Sequence, residues 1–372
     1  MAEPTYSIAY PRRRVARSLL RGVGRIIVPA LTRATVTGLD RFPKTGPLIV
    51  VGNHIATMEV VLMVVYAPWQ MEMLGPGDIP PPPAMDAIAR FHGYIGINRG
   101  NMDRRALTQA LDVLRQGGVL GMFPEGGIWD PGAMEAKRGV AWLSRRAGAP
   151  ILPIGFGGLE GAMDAVFKLE RPELVMNVGE VIPPVRPTPG VPRKQALHQA
   201  SVHIMEAVEA LIPPAYRQRH TTPIDERFEL RIQAHDPQGT LITIPAELRV
   251  AHRDALCKFF YRPALLRIFV KDLGLPAVPL QHLDQRPSPA GLLQGLDPIL
   301  HYAEITNPGF FTYRFGTTEG LAMLAALREL RALIDWARGR DHTLHIQPAR
   351  RYRLSVDGDE FHEDTPAASH LW

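Results

Sequence analysis

The segment Asn53-His54-Ile55-Ala56-Thr57-Met58-Glu59 holds a histidine and a carboxylate five residues apart. A histidine can take a proton from a hydroxyl near neutral pH. Such a base needs an orienter, and a carboxylate on one imidazole nitrogen fixes the tautomer and stabilises the imidazolium. Glu59 reaches His54 if the histidine sits in the turn before a helix. Three further blocks follow in order: Gly96-Ile97-Asn98-Arg99, Phe123-Pro124-Glu125-Gly126-Gly127 and Ile151-Leu152-Pro153-Ile154. Arg99 carries a planar fork suited to phosphate. Glu125 stands in a Pro-Glu-Gly-Gly turn, expected to expose it and to leave backbone N–H groups free. Each block alone reads as ordinary structure: a histidine after a strand, a solvated arginine, a turn. Their order, spacing and placement at strand ends together point to a site.

The elements that must position them alternate. Residues 47–52 (PLIVVG) read as a buried strand and residues 59–67 as an apolar helix. Residues 107–115 give an amphipathic helix, 118–123 (GVLGMF) a second buried strand, 137–147 a helix and 151–156 a strand. Continuously apolar strands alternating with helices indicate an α/β fold with a mostly parallel sheet covered on both faces. His54 then falls near the carboxyl end of a strand, where ligand sites of such sheets gather. Pro80–Pro83 is expected to form a rigid loop. A helix is expected over 193–211, stopped at Pro213–Pro214. Residues 225–372 read as a second, α+β domain. Strands are expected over 228–234 and 240–244, a helix over 255–273 interrupted at Pro263, and a strong helix over 319–337. A hairpin is expected to turn at Asp357–Gly358.

Of 372 residues, 46% are apolar and 21% charged, a globular composition. The net charge of +5 is concentrated. Residues 1–40 hold seven arginines (Arg12, Arg13, Arg14, Arg17, Arg21, Arg25, Arg33) against Glu3 and Asp40, and the remainder is neutral in sum. On a helical wheel, Val15, Ala16, Leu19, Leu20, Val23, Ile26 and Ile27 oppose Arg14, Arg17, Arg21 and Arg25. Residues 1–32 are therefore expected to form a basic amphipathic helix on an anionic membrane surface, with guanidiniums toward the headgroups. The reading is peripheral attachment at the cytoplasmic face, with no nucleic acid partner. No secretory signal is evident, and no apolar run reaches the roughly 18 residues of a membrane span. The single cysteine, Cys257, excludes an intrachain disulfide. No nucleotide-binding glycine fingerprint and no CxxC occurs. His342 and His345 fall on opposite faces of an expected strand, so no metal site is expected there.

The four blocks resemble those of the glycerophospholipid acyltransferases, which include the glycerol-3-phosphate and 1-acylglycerol-3-phosphate acyltransferases. The NHxxxxD motif of that family is similar to Asn53-His54 with Glu59 in the aspartate position. A glycine followed by arginine matches Gly96 to Arg99, and FPEGTRS matches Phe123 to Gly126. A downstream Lys-x-Gly matches Lys137-Arg138-Gly139, and a VPV-like strand matches Leu152-Pro153-Ile154. The resemblance covers roughly residues 25–215.

The resemblance implies acyl transfer from acyl-CoA or acyl carrier protein to the hydroxyl of a lysophospholipid such as 1-acylglycerol 3-phosphate, in a domain spanning residues 33–220. His54 would be the general base and Glu59 its orienter. Arg99 would bind the acceptor phosphate, helped by Lys137 or Arg138. Asn53, Glu125, Gly126 and Gly127 would line the acceptor site. Direct attack on a thioester needs no acyl-enzyme, in keeping with the lack of a serine or cysteine nucleophile signature. No cofactor beyond the acyl donor is implied. The methionine-rich stretch Met58–Met73 is a candidate acyl lining. Gly127-Ile128-Trp129 departs from Thr-Arg-Ser, which fits either a larger, more apolar acceptor or different packing. The competing reading is a catalytically silent lipid- or acyl-binding scaffold of the same fold.

Overall fold

The structure, a computed structural model, describes residues 6–81, 83–99, 102–126, 137–187, 189–217, 225–261, 263–353 and 362–364. Its contacts divide the chain into two units, residues 1–98 with 102–220 and residues 99–101 with 221–372.

The first unit runs α1 (Arg14–Leu31), β1 (Arg33–Thr37), β2 (Leu48–Gly52), α2 (Met58–Tyr66), β3 (Met71–Pro76), α3 (Pro83–His92) and β4 (Ile95–Ile97). It continues α4 (Arg104–Arg115), β5 (Val119–Met122), α5 (Gly139–Ala147), β6 (Ile151–Gly157), α6 (Ala162–Phe167), β7 (Glu173–Val178), α7 (Arg193–Leu211) and a short α8 (Pro214–Arg217). The seven strands form one sheet in the order β1-β7-β6-β2-β5-β3-β4. The five strands from β6 to β4 are parallel, and β7 runs antiparallel to β6. The α/β reading therefore holds, with a reversed edge pair β7–β1 that apolar patterning did not reveal.

All five residues of β2 are buried, because helices cover both faces. Ile49 and Val51 pack with α4, α5 and α7. Leu48 and Val50 point to the other face, into the layer holding α2. Met58, Met63, Met71 and Met73 lie in that second cluster, fully buried. They are core and not an acyl lining. Pro83 is another correction. It opens α3, where its fixed φ and missing N–H are tolerated, so it does not belong to the expected loop.

The amino-terminal helix forms with its apolar stripe outward, but its arginine face, expected at the headgroups, is turned onto the protein. Arg17 is 2% exposed and pairs at 2.8 Å with Glu72, itself wholly buried on β3, while Arg12 pairs with Glu72 at 2.5 Å. Arg17 also donates to the carbonyls of His92 and Gly93, and Arg13 to those of Arg90 and Phe91. Arg21 donates to Ala67, Pro68 and Trp69, and Arg25 to Val65. These carbonyls cluster at the carboxyl ends of α2 and α3. Helix ends leave such groups unsatisfied, and the helix dipole favours cations there. The guanidiniums thus cap two helices of their own domain. Gly24 permits this seating, because a Cβ there would meet the Val65 side chain at 2.4 Å. The apolar stripe is left outside, with Val15 84% and Ile26 74% exposed and Leu19, Val23 and Ile27 exposed beside them.

The second unit contains β8 (Asp225–His235), β9 (Leu241–Ile242), α9 (Arg253–Phe260), α10 (Pro263–Arg267), α11 (Pro289–His301), α12 (Phe310–Arg338), β10 (Thr343–Arg353) and β11 (His362–Asp364). Its antiparallel sheet has the order β11-β10-β8-β9. Phe259 of α9 and Phe310 and Phe311 of α12 form an aromatic core with Phe269, which lies in the helical turn after α10. The α+β reading holds. The helix expected from 319 begins at Phe310 and breaks at Gly316, whose φ is +79°. Strands β10 and β11 pair antiparallel, while the turn expected at 357–358 lies outside the described residues.

Glu72→Ala should strand the buried Arg17 charge. Breaking a buried pair by removing one partner typically costs about 3–5 kcal/mol. A loss of that order is expected in urea unfolding of the variant, against less than about 1 kcal/mol for Arg25→Ala, whose side chain is more exposed.

Candidate active site

His54 lies two residues past the end of β2, between the strands that flank it. Asn53 is 1% exposed. Its Oδ1 accepts from the Phe156 N–H at 2.8 Å and its Nδ2 donates to the Phe156 carbonyl at 3.2 Å. The Asn53 amide therefore continues the β2–β6 ladder past its last residue pair. It is engaged with the backbone and is not turned toward an acceptor.

Glu125 does the corresponding job on the other side. The backbone N–H of His54 donates to its carboxyl group, at 3.3 Å to Oε1 and 3.2 Å to Oε2. Residues 123–126 follow β5, the other neighbour of β2. Gly126 adopts φ +76° and its N–H bonds the Phe123 carbonyl at 3.1 Å, a tight turn that suits glycine. The turn was expected to expose Glu125, and instead the side chain is wholly buried. Burial pushes its pKa up to about 8, with Glu59 and Glu209 adding to the rise and the His54 N–H opposing it.

Glu59 sits in the first turn of α2, wholly buried. Its Oε1 accepts from the N–H of Ala56 at 2.6 Å and from that of Ile55. It reaches back past the start of the helix in the manner of a capping-box glutamate. The same oxygen lies 3.5 Å from His54 Nδ1. The two groups face each other at the outer limit of hydrogen-bond reach, and Nδ1 and the second oxygen Oε2 are both buried without a hydrogen-bond partner. The extra methylene of glutamate over aspartate is taken up by its bonds to residues 55 and 56. The ring of Phe123 stacks on the imidazole, centroids 4.1 Å apart and planes within 11°. Phe123 is a site residue that sequence reasoning used only as a motif marker. His54 keeps 18% of its side chain exposed, so its outer nitrogen can meet a ligand while Nδ1 faces Glu59.

The remaining expected residues are placed as follows. The Lys137 N–H bonds the Pro124 carbonyl at 2.9 Å, so the start of α5 returns beside the Phe123–Gly126 turn. Arg138 is exposed at the N-cap of α5. Arg99 follows β4, three strands from β2, which at about 4.8 Å per strand separates the two strand ends by roughly 14 Å. Its contacts group it with the second unit. Gly127, with Ile128 and Trp129, lies outside the described residues. Among the described residues no three or more histidine, cysteine or carboxylate side chains are placed to hold a metal. Cys257 is buried in the second unit and its thiol is pushed up to about 12, which suits packing and not nucleophilic chemistry.

Residues 33–157 match the family described as Acyltransferase. These residues are similar to that family. A 1-acyl-sn-glycerol-3-phosphate acyltransferase of Borreliella burgdorferi is 29% identical over 122 residues, covering 32% of this chain and 49% of the relative. The chain thus matches about half the length of that curated relative. The crystal structure of the 1-acyl-sn-glycerophosphate (LPA) acyltransferase PlsC from Thermotoga maritima aligns with a TM-score of 0.40 at 18% identity. That alignment covers 54% of this chain and 79% of the other. The matched segment contains His54, Glu59, Glu125 and the strands β2, β5 and β6 that carry them.

The Glu125 shift has a definite sign. The unfolded chain releases this proton near the ordinary value of 4.5, while the folded chain holds it until about 8. The group's contribution to stability is fully present below pH 4.5 and is lost as the pH rises through 8. Urea unfolding of the wild type should show this decline between pH 5 and 8, and Glu125→Gln should flatten it.

Proposed function

We propose that the first unit transfers a fatty acyl group from a thioester donor, acyl-CoA or acyl carrier protein, to the free hydroxyl of a lysophospholipid such as 1-acylglycerol 3-phosphate. The observation that carries this reading is the imidazole–carboxylate pair at the end of β2, within the segment that matches the acyltransferase family. The outer nitrogen of His54 takes the acceptor's hydroxyl proton as the oxygen attacks the thioester carbonyl. The C–O bond forms, the C–S bond breaks, and the proton passes from the imidazolium to the departing thiolate. Glu59, held by two backbone donors, faces Nδ1 and stabilises the imidazolium. Lys137 and Arg138 stand beside the turn that carries Glu125 and supply positive charge for the acceptor phosphate. Gly126 shapes that turn. The facing of His54 and Glu59 across 3.5 Å favours an enzyme over a silent scaffold, in which the two side chains would have no reason to meet.

The acceptor is an amphiphile, so the enzyme meets it at a lipid surface. Among the described residues no helix is long and apolar enough to cross a membrane. The proposed attachment is the outward stripe of Val15, Leu19, Val23, Ile26 and Ile27, laid into the interface with the arginines behind it. This replaces the expected headgroup role of those arginines by helix capping, and it makes attachment depend on apolar burial more than on lipid charge.

Two outcomes are expected. His54→Ala should lower incorporation of labelled acyl groups into lysophosphatidic acid by at least about 10²-fold, the usual worth of a general base. Full retained turnover would remove the mechanism. Leu19→Glu combined with Ile26→Glu should release the protein from both phosphatidylcholine and phosphatidylglycerol vesicles in flotation. Arg25→Ala should leave flotation unchanged. Binding confined to anionic vesicles and abolished by Arg25→Ala would restore the electrostatic reading.

A further inference from the structure

The motif resemblance implies that the glutamate of the third block lines the acceptor site. In this chain that residue is Glu125, and it has no exposed surface. A buried carboxyl group is not offered to an incoming lysophospholipid. What it does hold is the main chain of the presumed base, since both oxygens lie 3.2–3.3 Å from the His54 nitrogen.

The place of that contact explains its use. The last paired residues of β2 and β5 are Val51 and Met122. Beyond them the two strands separate, and the His54 N–H has no strand partner on the β5 side. Glu125 supplies the missing acceptor. Asn53 supplies the equivalent on the β6 side through the backbone of Phe156. Glu59 then fixes Ile55 and Ala56. Three side chains from three elements thus pin four consecutive residues, 53–56, and leave the imidazole few ways to move.

We infer that Glu125 is a positioning residue, acting through the His54 backbone as an uncharged carboxyl group and making no contact with the acceptor. The neutral form follows from its neighbours. Glu59 and Glu125 are both wholly buried around one histidine, and two buried carboxylates do not ionise together without cost. Glu59 holds two backbone N–H donors near the amino end of α2 and faces an imidazole, so the negative charge belongs there. Burial holds the proton on Glu125, in line with its upward-shifted pKa. An uncharged acceptor oxygen is all that the His54 N–H requires, and a glutamine amide provides one.

This inference rests on the acyltransferase reading for its kinetic test but not for its chemical one. In the kinetic arm, Glu125→Gln should keep kcat and acceptor KM within about threefold of wild type. Glu125→Ala should lower kcat at least 50-fold with KM for lysophosphatidic acid within twofold. A tenfold rise of KM in either variant, or a glutamine variant as inactive as the alanine one, overturns the proposal. In the chemical arm, carbethoxylation of His54 by diethylpyrocarbonate is followed by mass spectrometry of the full-length protein. Its rate should change at least fivefold in Glu125→Ala and less than twofold in Glu125→Gln. Equal rates in all three proteins overturn the positioning role. If Glu125→Ala fails to fold, the glutamine variant decides alone, since a charged or acceptor-binding Glu125 predicts that it loses activity. Absent turnover in wild type would refute the acyltransferase reading while the chemical arm still reports on Glu125.

Discussion

The site depends on how backbone N–H groups are satisfied where β2 leaves the sheet. The strand is hydrogen-bonded to β5 as far as Val51 and to β6 as far as Gly52. One residue later the ladder ends, with Asn53 buried and residues 54–57 half-buried. Unpaired buried donors cost about as much as lost hydrogen bonds, so side chains must replace the missing strands. Asn53, Glu125 and Glu59 do this in sequence, one toward β6, one from the end of β5 and one from the first turn of α2. A histidine carried on such a segment is fixed by the same bonds that complete the fold. The geometry needed for proton transfer is therefore a by-product of closing the central strand.

Charge is distributed by a similar logic. The concentration of arginines at the amino terminus suggests an anionic partner outside the molecule. The structure supplies partners inside it, namely the Glu72 carboxylate and the partly negative carbonyl ends of α2 and α3. Guanidinium groups suit this task because one planar fork can satisfy several carbonyls at once, as Arg21 does with residues 67–69. Turning the arginines inward forces the aliphatic stripe outward. The feature that a helical wheel would assign to the core is then the one left for a lipid surface.

Much was legible in the sequence for reasons local to it. The buried strands 48–52, 119–122 and 151–157 are unbroken apolar runs, and α7 is bounded by prolines, so both could be read from consecutive residues. The antiparallel β7 and its partner β1 were missed, because strand direction within a sheet leaves no trace in side-chain periodicity. The methionines from Met58 to Met73 looked equally suited to core and to ligand groove. Only their neighbours across the sheet showed them to be core.

The sequence by itself determined the ordered blocks, the alternation of apolar strands with helices, and the amphipathic character of the first helix. These follow from residue type and spacing along a few turns or a single strand. Tertiary structure decided which face of that helix meets protein. It decided that Asn53 serves β6, and that Glu125 is buried against the His54 main chain. Each of those outcomes depends on a group more than 50 residues away in the chain, such as Glu72, Phe156 or His54. A wheel or a motif records that two faces differ or that a carboxylate is present. Only packing fixes the partner against which each is desolvated.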